Sequence, residues 1–568
     1  MNKRLLSLVS IAVLAALVFS LFMNPSSAFA LDAPNPPSTG SYTSGIYRNL
    51  FKEAGYTDAQ IQAKIDAAWN QLFYGNNQQK VYYTSGSDMA YIKDIADNDV
   101  RSEGQSYGMM ITVQLNHKTE FDKIWKFTKT YMQHTSSTDP WYGYFAWHVS
   151  TSGAHLAENN AEDGETWLVT ALFLADGRWG SGSGIYNYKA EAQFILDQVR
   201  SKEATSGTTG VYDMVNPTNS LGRFVATDNG WQMQNWTDPS YFEPAFYDYW
   251  AQVASHDNTF WSGAATAARN YLHTAANTTT GLIPNYSNFD GTPHSCCGDP
   301  NNNMMYGWDA RRTEMNIGMD YQWWANDAWQ KTETDNIQNF MFNQGVTTFG
   351  SEYCIDGSCE PTNYHESGHV GMLAAAGLAG TTTHVWDFVN HFYSVAIPTG
   401  TYRYYDGMLY FLGLLQTSGN FRIYGGGAAS PPAPTATPTP GPTNTPTNTP
   451  VATNTPTATN TPAASTQLHI GAISVTILNG SHIQGRVFVT VLDNNGATVS
   501  AATVAGVWSD ATTDSDSGNT NSSGVWSAYS NFGASGQTFT FCVGNISKSG
   551  YAYDLTSNVA TCASATAP

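Results

Sequence analysis

The stretch "VRSEGQSYGMM", Val100–Met110, decides the fold. Its inner residues "GQSYG", Gly104–Gly108, match the G-x-S-x-G elbow of serine hydrolases. That elbow needs a buried strand before Ser106, a helix after it and an α/β sheet around both. The residues in front, "DIADNDVRSE", are too polar for such a strand. The other reading begins an apolar helix here, with the carboxylate Glu103 in its first turn and Ser106 a bystander. It makes the domain helical and moves the chemistry from a hydroxyl to a carboxyl group.

The surrounding chain agrees with the helical reading. "TDAQIQAKIDAAWNQLF" opens with Thr57 and Gln60 at capping-box spacing and then places Ile61, Ile65, Ala68 and Leu72 on one face. "ETWLVTALFLADGRWG" gives a second apolar helix, with Gly177 as its expected stop. "ARRTEMNIGMDYQWWANDAW", "VGMLAAAGLAG" and "GMLYFLGLLQTSGN" add further helices, several apolar nearly all round and therefore buried. A large all-α domain follows. "SPPAPTATPTPGPTNTPTNTPVATNTPTATNTP", Ser430–Pro462, then offers no apolar bulk for a core and reads as a Pro/Thr-rich spacer. At about 3 Å per residue it reaches roughly 100 Å. Beyond it "HIGAISVTILNG", "GRVFVTVLDNNGATV" and "QTFTFCVGNIS" alternate apolar and polar residues around turn signals, the pattern of a β-sandwich of immunoglobulin type.

Composition bounds the partners. The 568 residues carry a net charge of −20 with only 12% charged side chains, which excludes nucleic acid and anionic membrane as partners. Aromatic residues make up 13%, including 17 Trp and 32 Tyr, and supply flat apolar platforms with polar tips that suit sugar rings. Lys3 and Arg4, an apolar run to Leu21 and "SSAFA", Ser26–Ala30, form an export signal over residues 1–30, so a secreted protein is expected. Of the six cysteines, Cys354 with Cys359 and Cys542 with Cys562 are expected pairs, while Cys296 and Cys297 are left unassigned.

Two motifs compete for the chemistry. "HESGH", His365–His369, fits the H-E-x-x-H pattern of zinc peptidases, but Ser367 and Gly368 weaken the helix it needs and no third ligand follows. The carboxylates Glu103, Asp163 in "NAEDGETW" and Asp309 in "YGWDARRTEMNIG" each stand at the start of an apolar helix. Glycoside cleavage needs two such groups, one protonated to release the leaving sugar and one ionised to activate water. A helix-start acid alone is more often only a partner of the helix dipole.

The segments "NDVRSEGQSYGMMI", "YGYFAW", "DGETWLVTALFLADGRWG", "DPSYFEPAFYDYW", "WDARRTEMNIGMD" and "YRYYDGMLYFLGLLQTSGNFRIY" closely resemble, in order, glycoside hydrolase family 8. The likeness is nearest to the xylan-acting branch, the endo-xylanases and reducing-end exo-oligoxylanases. It implies an (α/α)6 barrel for the domain over residues 31–427, ahead of the linker at 428–465 and the β-sandwich at 466–568 read above. It also implies an inverting mechanism, with Glu103 as general acid, Asp309 as general base and Asp163 as the carboxylate holding the sugar at the cleavage point. Trp147, Tyr241, Arg312, Tyr144 and Tyr405 fall at substrate-contacting positions. No metal and no cofactor are implied.

The acid role contains a tension. A helix N-terminus favours the ionised carboxylate, whereas a general acid at neutral pH must keep its proton. Asp163 is therefore expected within a few ångströms of Glu103, holding it protonated. The exo-acting relatives carry a Leu-His-Pro kink that closes the cleft; "YHESGHVGML", Tyr364–Leu373, has none. The expected activity is thus endo-hydrolysis of β-1,4-xylan by a secreted monomer. Xylose release from reducing ends and glucan or chitosan hydrolysis stay open as alternatives, as does contact of the C-terminal domain with polysaccharide or a cell surface.

Overall fold

A computed structural model describes residues 31–298, 304–359, 364–429, 467–479, 483–512, 515–548, 551–554 and 557–567. The leader at 1–30 and nearly all of the linker expected at 428–465 lie outside the described residues. The described residues fall into two compact units, within 31–429 and 467–567.

In the first unit, the described residues form twelve helices of ten residues or more. They are α1 (Asp58–Tyr74), α2 (Ser102–Leu115), α3 (Lys118–Tyr131), α4 (Glu162–Trp179), α5 (Tyr188–Gln198) and α6 (Pro244–Val253). The series continues with α7 (Asn258–Ala275), α8 (Arg312–Trp324), α9 (Trp329–Gln344), α10 (Ser367–Ala376), α11 (His384–Ser394) and α12 (Arg403–Thr417). The even-numbered helices touch in sequence, α2 on α4, α6, α8, α10 and α12, and α12 returns to α2, so an inner ring closes. Each odd-numbered helix packs outside one of them, α1 on α12, α3 on α2, and so on round the ring. This is the (α/α)6 barrel.

Sequence pattern separates the two rings. Inner α10, "SGHVGMLAAA", buries every residue from Gly368 to Ala376, which requires the all-round apolar pattern. Outer α3, "KTEFDKIWKFTKTY", buries only Phe121, Ile124, Trp125, Phe127 and Thr128 and turns its lysines outward. The capping box on α1 forms as expected, with the Thr57 amide donating to Gln60 Oε1 at 2.9 Å. The stop of α4 differs from the expectation. Gly177 lies inside the helix, where its bare Cα lets the backbone at Tyr424 approach, and the helix ends at Gly180 with φ 76°.

A small antiparallel sheet lies on the barrel: β1 (Asp99–Arg101), β2 (His148–Ser150) and β3 (His155–Ala157), in that order. It carries Trp147 to the start of α2, where the Ser102 amide donates to the Trp147 carbonyl at 2.9 Å.

The second unit consists of two four-stranded sheets. The strands are β4 (Gln467–Asn479), β5 (Ile483–Asp493), β6 (Thr503–Asp510), β7 (Ser515–Asn519), β8 (Val525–Tyr529), β9 (Thr538–Ser547), β10 (Ala552–Tyr553) and β11 (Cys562–Thr566). One sheet runs β7-β6-β9-β11 and the other β8-β5-β4-β10. Trp508 and Trp526 are core residues with 2% and 7% exposure. Cys542 and Cys562 stand opposite each other in the β9–β11 register and are bonded, as are Cys354 with Cys359 and the adjacent Cys296 with Cys297.

Ring closure depends on glycine where inner helices touch. A Cβ on Gly413 of α12 would come within 2.6 Å of the Gly371 carbonyl oxygen of α10. Gly413→Ala is expected to cost about 1–3 kcal/mol, read as a lower midpoint in urea unfolding with an unchanged slope.

Candidate active site

The barrel brings three distant carboxylates, and the neighbouring Asp309, to one guanidinium. Arg312, the first residue of α8, is 3% exposed, and its Nη1 donates to Glu103 Oε2 at 3.0 Å and Asp163 Oδ2 at 2.7 Å. The same nitrogen lies 3.2 Å from the Tyr107 hydroxyl. Its Nη2 bonds Asp309 Oδ1 at 3.2 Å and faces Asp238 Oδ2 at 3.6 Å. Glu103 and Asp163 are therefore neighbours across a single nitrogen, as the sequence reading required.

Each acid is placed by a helix start. Glu103 lies in the first turn of α2, immediately after β1, and Asp163 in the first turn of α4. Both are followed by glycine, and both glycines are needed for close approach. A Cβ on Gly104 would meet the Tyr404 ring at 2.5 Å, and one on Gly164 would strike Ser102. Tyr404 uses that space to donate its hydroxyl to Glu103 Oε1 at 2.8 Å. Asp309 sits in the turn before α8 with 34% of its side chain exposed, while Asp163 is buried and Glu103 is 18% exposed.

The proton balance at Glu103 settles the helix-dipole tension. Burial pushes its carboxyl up to about 7; Arg312 opposes this, and the charges of Asp163 and Asp309 add to it. The charge of Asp163 is thus a contributor, and desolvation is the larger cause. Asp163 is itself raised, by burial first, despite Arg312. Asp238, Glu162 and Glu243 are pushed well up for the same reason, and Asp238 Oδ2, Glu162 Oε2 and Glu243 Oε2 have no hydrogen-bond partner. A carboxyl group that keeps its proton to near neutrality, beside a half-open carboxylate held by the same arginine, provides a proton donor and a proton acceptor in one cleft.

Aromatic residues form the walls. Tyr241 stands 5.5 Å from the Arg312 guanidinium and stacks on Phe224, which stacks in turn on Trp236. Asn316 of α8 holds this turn by donating to the Ser240 carbonyl at 2.9 Å. On another side, Tyr404 and Tyr405 share a cavity of about 480 Å³ with Trp308, Tyr364, Glu366 and Tyr402. Trp147 is half-buried beside His148 and Arg101.

Tyr144 departs from its expected place. It has no exposed surface and donates its hydroxyl to the Tyr212 carbonyl at 3.0 Å, so it packs behind the cleft and cannot touch a sugar. The reading of the sequence also missed Asp238, Tyr404 and Tyr107. The first two had visible signals, since Asp238 opens the "DPSY" that ends in Tyr241, and Tyr404 adjoins Tyr405.

The H-E-x-x-H match comes apart in three dimensions. His365 bonds the Phe349 carbonyl and His391, each at 2.9 Å, Glu366 pairs with Arg311 at 2.7 Å, and His369 takes a contact of 2.6 Å from the Tyr306 hydroxyl. Tyr306 also bonds Glu314, whose carboxyl burial pushes up to about 8. The single phenol hydrogen serves one neighbour, so the other, either Glu314 or the Nε2–H tautomer of His369, supplies a hydrogen of its own.

A cleft holding a proton-bearing carboxyl group beside a water-exposed carboxylate has the pair of groups that glycoside hydrolysis requires. The family model for glycosyl hydrolases family 8 matches residues 55–419, and the chain belongs to that family. It is 40% identical over 395 residues to the reducing-end xylose-releasing exo-oligoxylanase Rex8A of Paenibacillus barcinonensis, covering 69% of this chain and all of that one. It is 36% identical to the reducing end xylose-releasing exo-oligoxylanase of Halalkalibacterium halodurans, covering 68% of this chain and 96% of that one. The structure of a Teredinibacter turnerae family 8 xylanase mutant with xylohexaose matches with a TM-score of 0.64 and 39% identity, over 68% of this chain and 99% of that one. The chain is accordingly an inverting glycoside hydrolase of the xylan-acting branch.

Buried protonated acids also govern stability. Glu314, Glu103 and Asp406, pushed to about 8, 7 and 6, hold protons that the unfolded chain releases near pH 4. The folded state thus binds more protons through this window. Its advantage is complete below about pH 4 and is lost as pH rises towards 8. The melting temperature is expected to fall between pH 5 and pH 9, and Glu314→Gln, which stays neutral, should flatten that fall in scanning fluorimetry.

Proposed function

We propose that Glu103 is the general acid of this hydrolase and Asp309 its general base, with Asp163 and Arg312 fixing the sugar and the acid at the cleavage point. The observation that carries this reading is the shared arginine, which places a carboxyl group protonated to about pH 7 in the same cleft as a solvent-open carboxylate. Glu103 gives its proton to the leaving oxygen. Asp309 takes one from the water that attacks the opposite face of the sugar ring, so the new anomer is inverted. Trp147, Tyr241 and Tyr405 supply apolar faces for the sugar chain.

For the substrate, we propose xylo-oligosaccharides cut at the reducing end to release xylose. Three relatives at 40%, 36% and 34% identity carry that activity in their names. The sequence reading put internal cleavage of xylan first, and the comparisons weigh against that order. Internal cleavage remains the second reading because Tyr364–Leu373 lacks the Leu-His-Pro kink and because Trp308, Tyr364 and Tyr402 extend an aromatic cavity beyond Tyr405. We further propose that residues 1–30 direct export, that the enzyme works as a monomer, and that the C-terminal unit is an immunoglobulin-like sandwich contacting polysaccharide or a cell surface.

Glu103→Gln and Asp309→Asn should each lower kcat on xylohexaose by at least a thousandfold, with the α-anomer as the first product of the parent enzyme by proton NMR. The alkaline limb of kcat/KM should lie near pH 7. Tyr404→Phe removes a hydrogen bond that favours the carboxylate, and should move that limb upward by roughly half a unit or more. A limb unmoved by this change would remove Glu103 as the group being titrated.

Chromatography of products from xylohexaose and from polymeric xylan, with β-glucan and chitosan as controls, decides the substrate. Xylose plus xylopentaose, with little release from polymer, is the expected outcome. A ladder of oligomers from xylan would establish the second reading.

A further inference from the structure

We propose that His134, His155 and Glu158 form a binding site for one divalent cation of the zinc class, which pins the loop carrying Trp147. The three side chains come from the segment between α3 and α4, and their ligand atoms all lie within 4.8 Å of one another. Glu158 Oε2 is the hub, 2.7 Å from His155 Nδ1 and 3.8 Å from His134 Nε2.

Two features distinguish this cluster from an ordinary surface ion pair. First, each ring is fixed from behind at its other nitrogen. His134 Nδ1 faces Asp139 Oδ2 at 2.8 Å, and His155 Nε2 faces the Tyr131 carbonyl at 2.8 Å. Metal-bound histidines are held in this way, one nitrogen donating to a carboxylate or carbonyl while the other takes the ion. Second, both rings have oxygen at both nitrogens, since His134 Nε2 also meets the Glu158 carbonyl at 2.9 Å. A neutral imidazole has only one N–H, so satisfying both nitrogens needs a positive charge, carried either by the ring itself or by a bound cation. A cation between Nε2, Nδ1 and Oε2 supplies that charge to both rings at once.

The fit needs little movement. Zinc bonds of about 2.0–2.2 Å at tetrahedral angles separate neighbouring ligand atoms by about 3.3 Å. His134 is 4% exposed and fixed, whereas the Glu158 side chain is 64% exposed and free to shift between the rings. The Glu158 carbonyl, now 2.9 Å from His134 Nε2, turns aside for the ion, and water takes the fourth position.

The position gives the ion a purpose. The loop folds back on itself through Ala146 to Met132 and Trp147 to Asn159 backbone bonds at 2.8 and 2.9 Å, then enters α4 and Asp163. A cation joining His134, His155 and Glu158 therefore crosslinks both flanks of Trp147.

The test uses the untagged full chain, stripped with chelator, dialysed and titrated with zinc chloride by calorimetry, with metal content measured after desalting. One equivalent should bind with micromolar or tighter affinity and raise the melting temperature by several degrees. His155→Asn and Glu158→Gln should each weaken that equivalent at least thirtyfold while leaving the apo protein's circular dichroism unchanged. His391→Asn, which alters the separate His365–His391 pair, should retain it. Absence of a tight equivalent, or its survival in both site variants, would overturn the proposal, as would binding without a gain in melting temperature.

Discussion

The site depends on the burial of one positive charge. Arg312 is nearly free of solvent, and a guanidinium so placed is tolerable only if it is paired on every side. Its donors fix the positions of Glu103, Asp163 and Asp309, with Asp238 opposite, and so tie the starts of α2, α4 and α8 to a common point. The five donors of an arginine form a rigid planar fork, whereas a lysine would offer one point charge and leave several of these oxygens unmatched.

Arg312 also acts on the proton balance of the cleft. Burial drives the Glu103 carboxyl towards its neutral form, and the arginine restrains that drift without cancelling it. Asp309 has the same arginine as partner but keeps contact with water. The two acids share a counter-charge and differ in exposure, 18% against 34%.

Much of this was legible in the sequence. Inner helices revealed themselves by apolar runs such as "VGMLAAAGLAG", and Glu103 by being the lone charge ahead of a long neutral stretch. The joining of Glu103 and Asp163 followed from the need to hold a proton against a helix dipole. What escaped was set by long-range packing. Nothing local tells Tyr404, which touches Glu103, from Tyr405, which faces the cleft, or shows that Tyr144 points into the core. Gly177 looked like a helix stop because glycine usually is one; here its value lay in the close passage of Tyr424.

The inner ring closes only through its last helix. Tyr404 of α12 lies 301 residues beyond the Glu103 it touches, and Arg312 is 209 residues away from the same carboxyl. The acid site is thus built from contacts between residues hundreds of positions apart, and a chain cut short before α12 would lack both the Tyr404 partner of Glu103 and the helix that lies between α10 and α2.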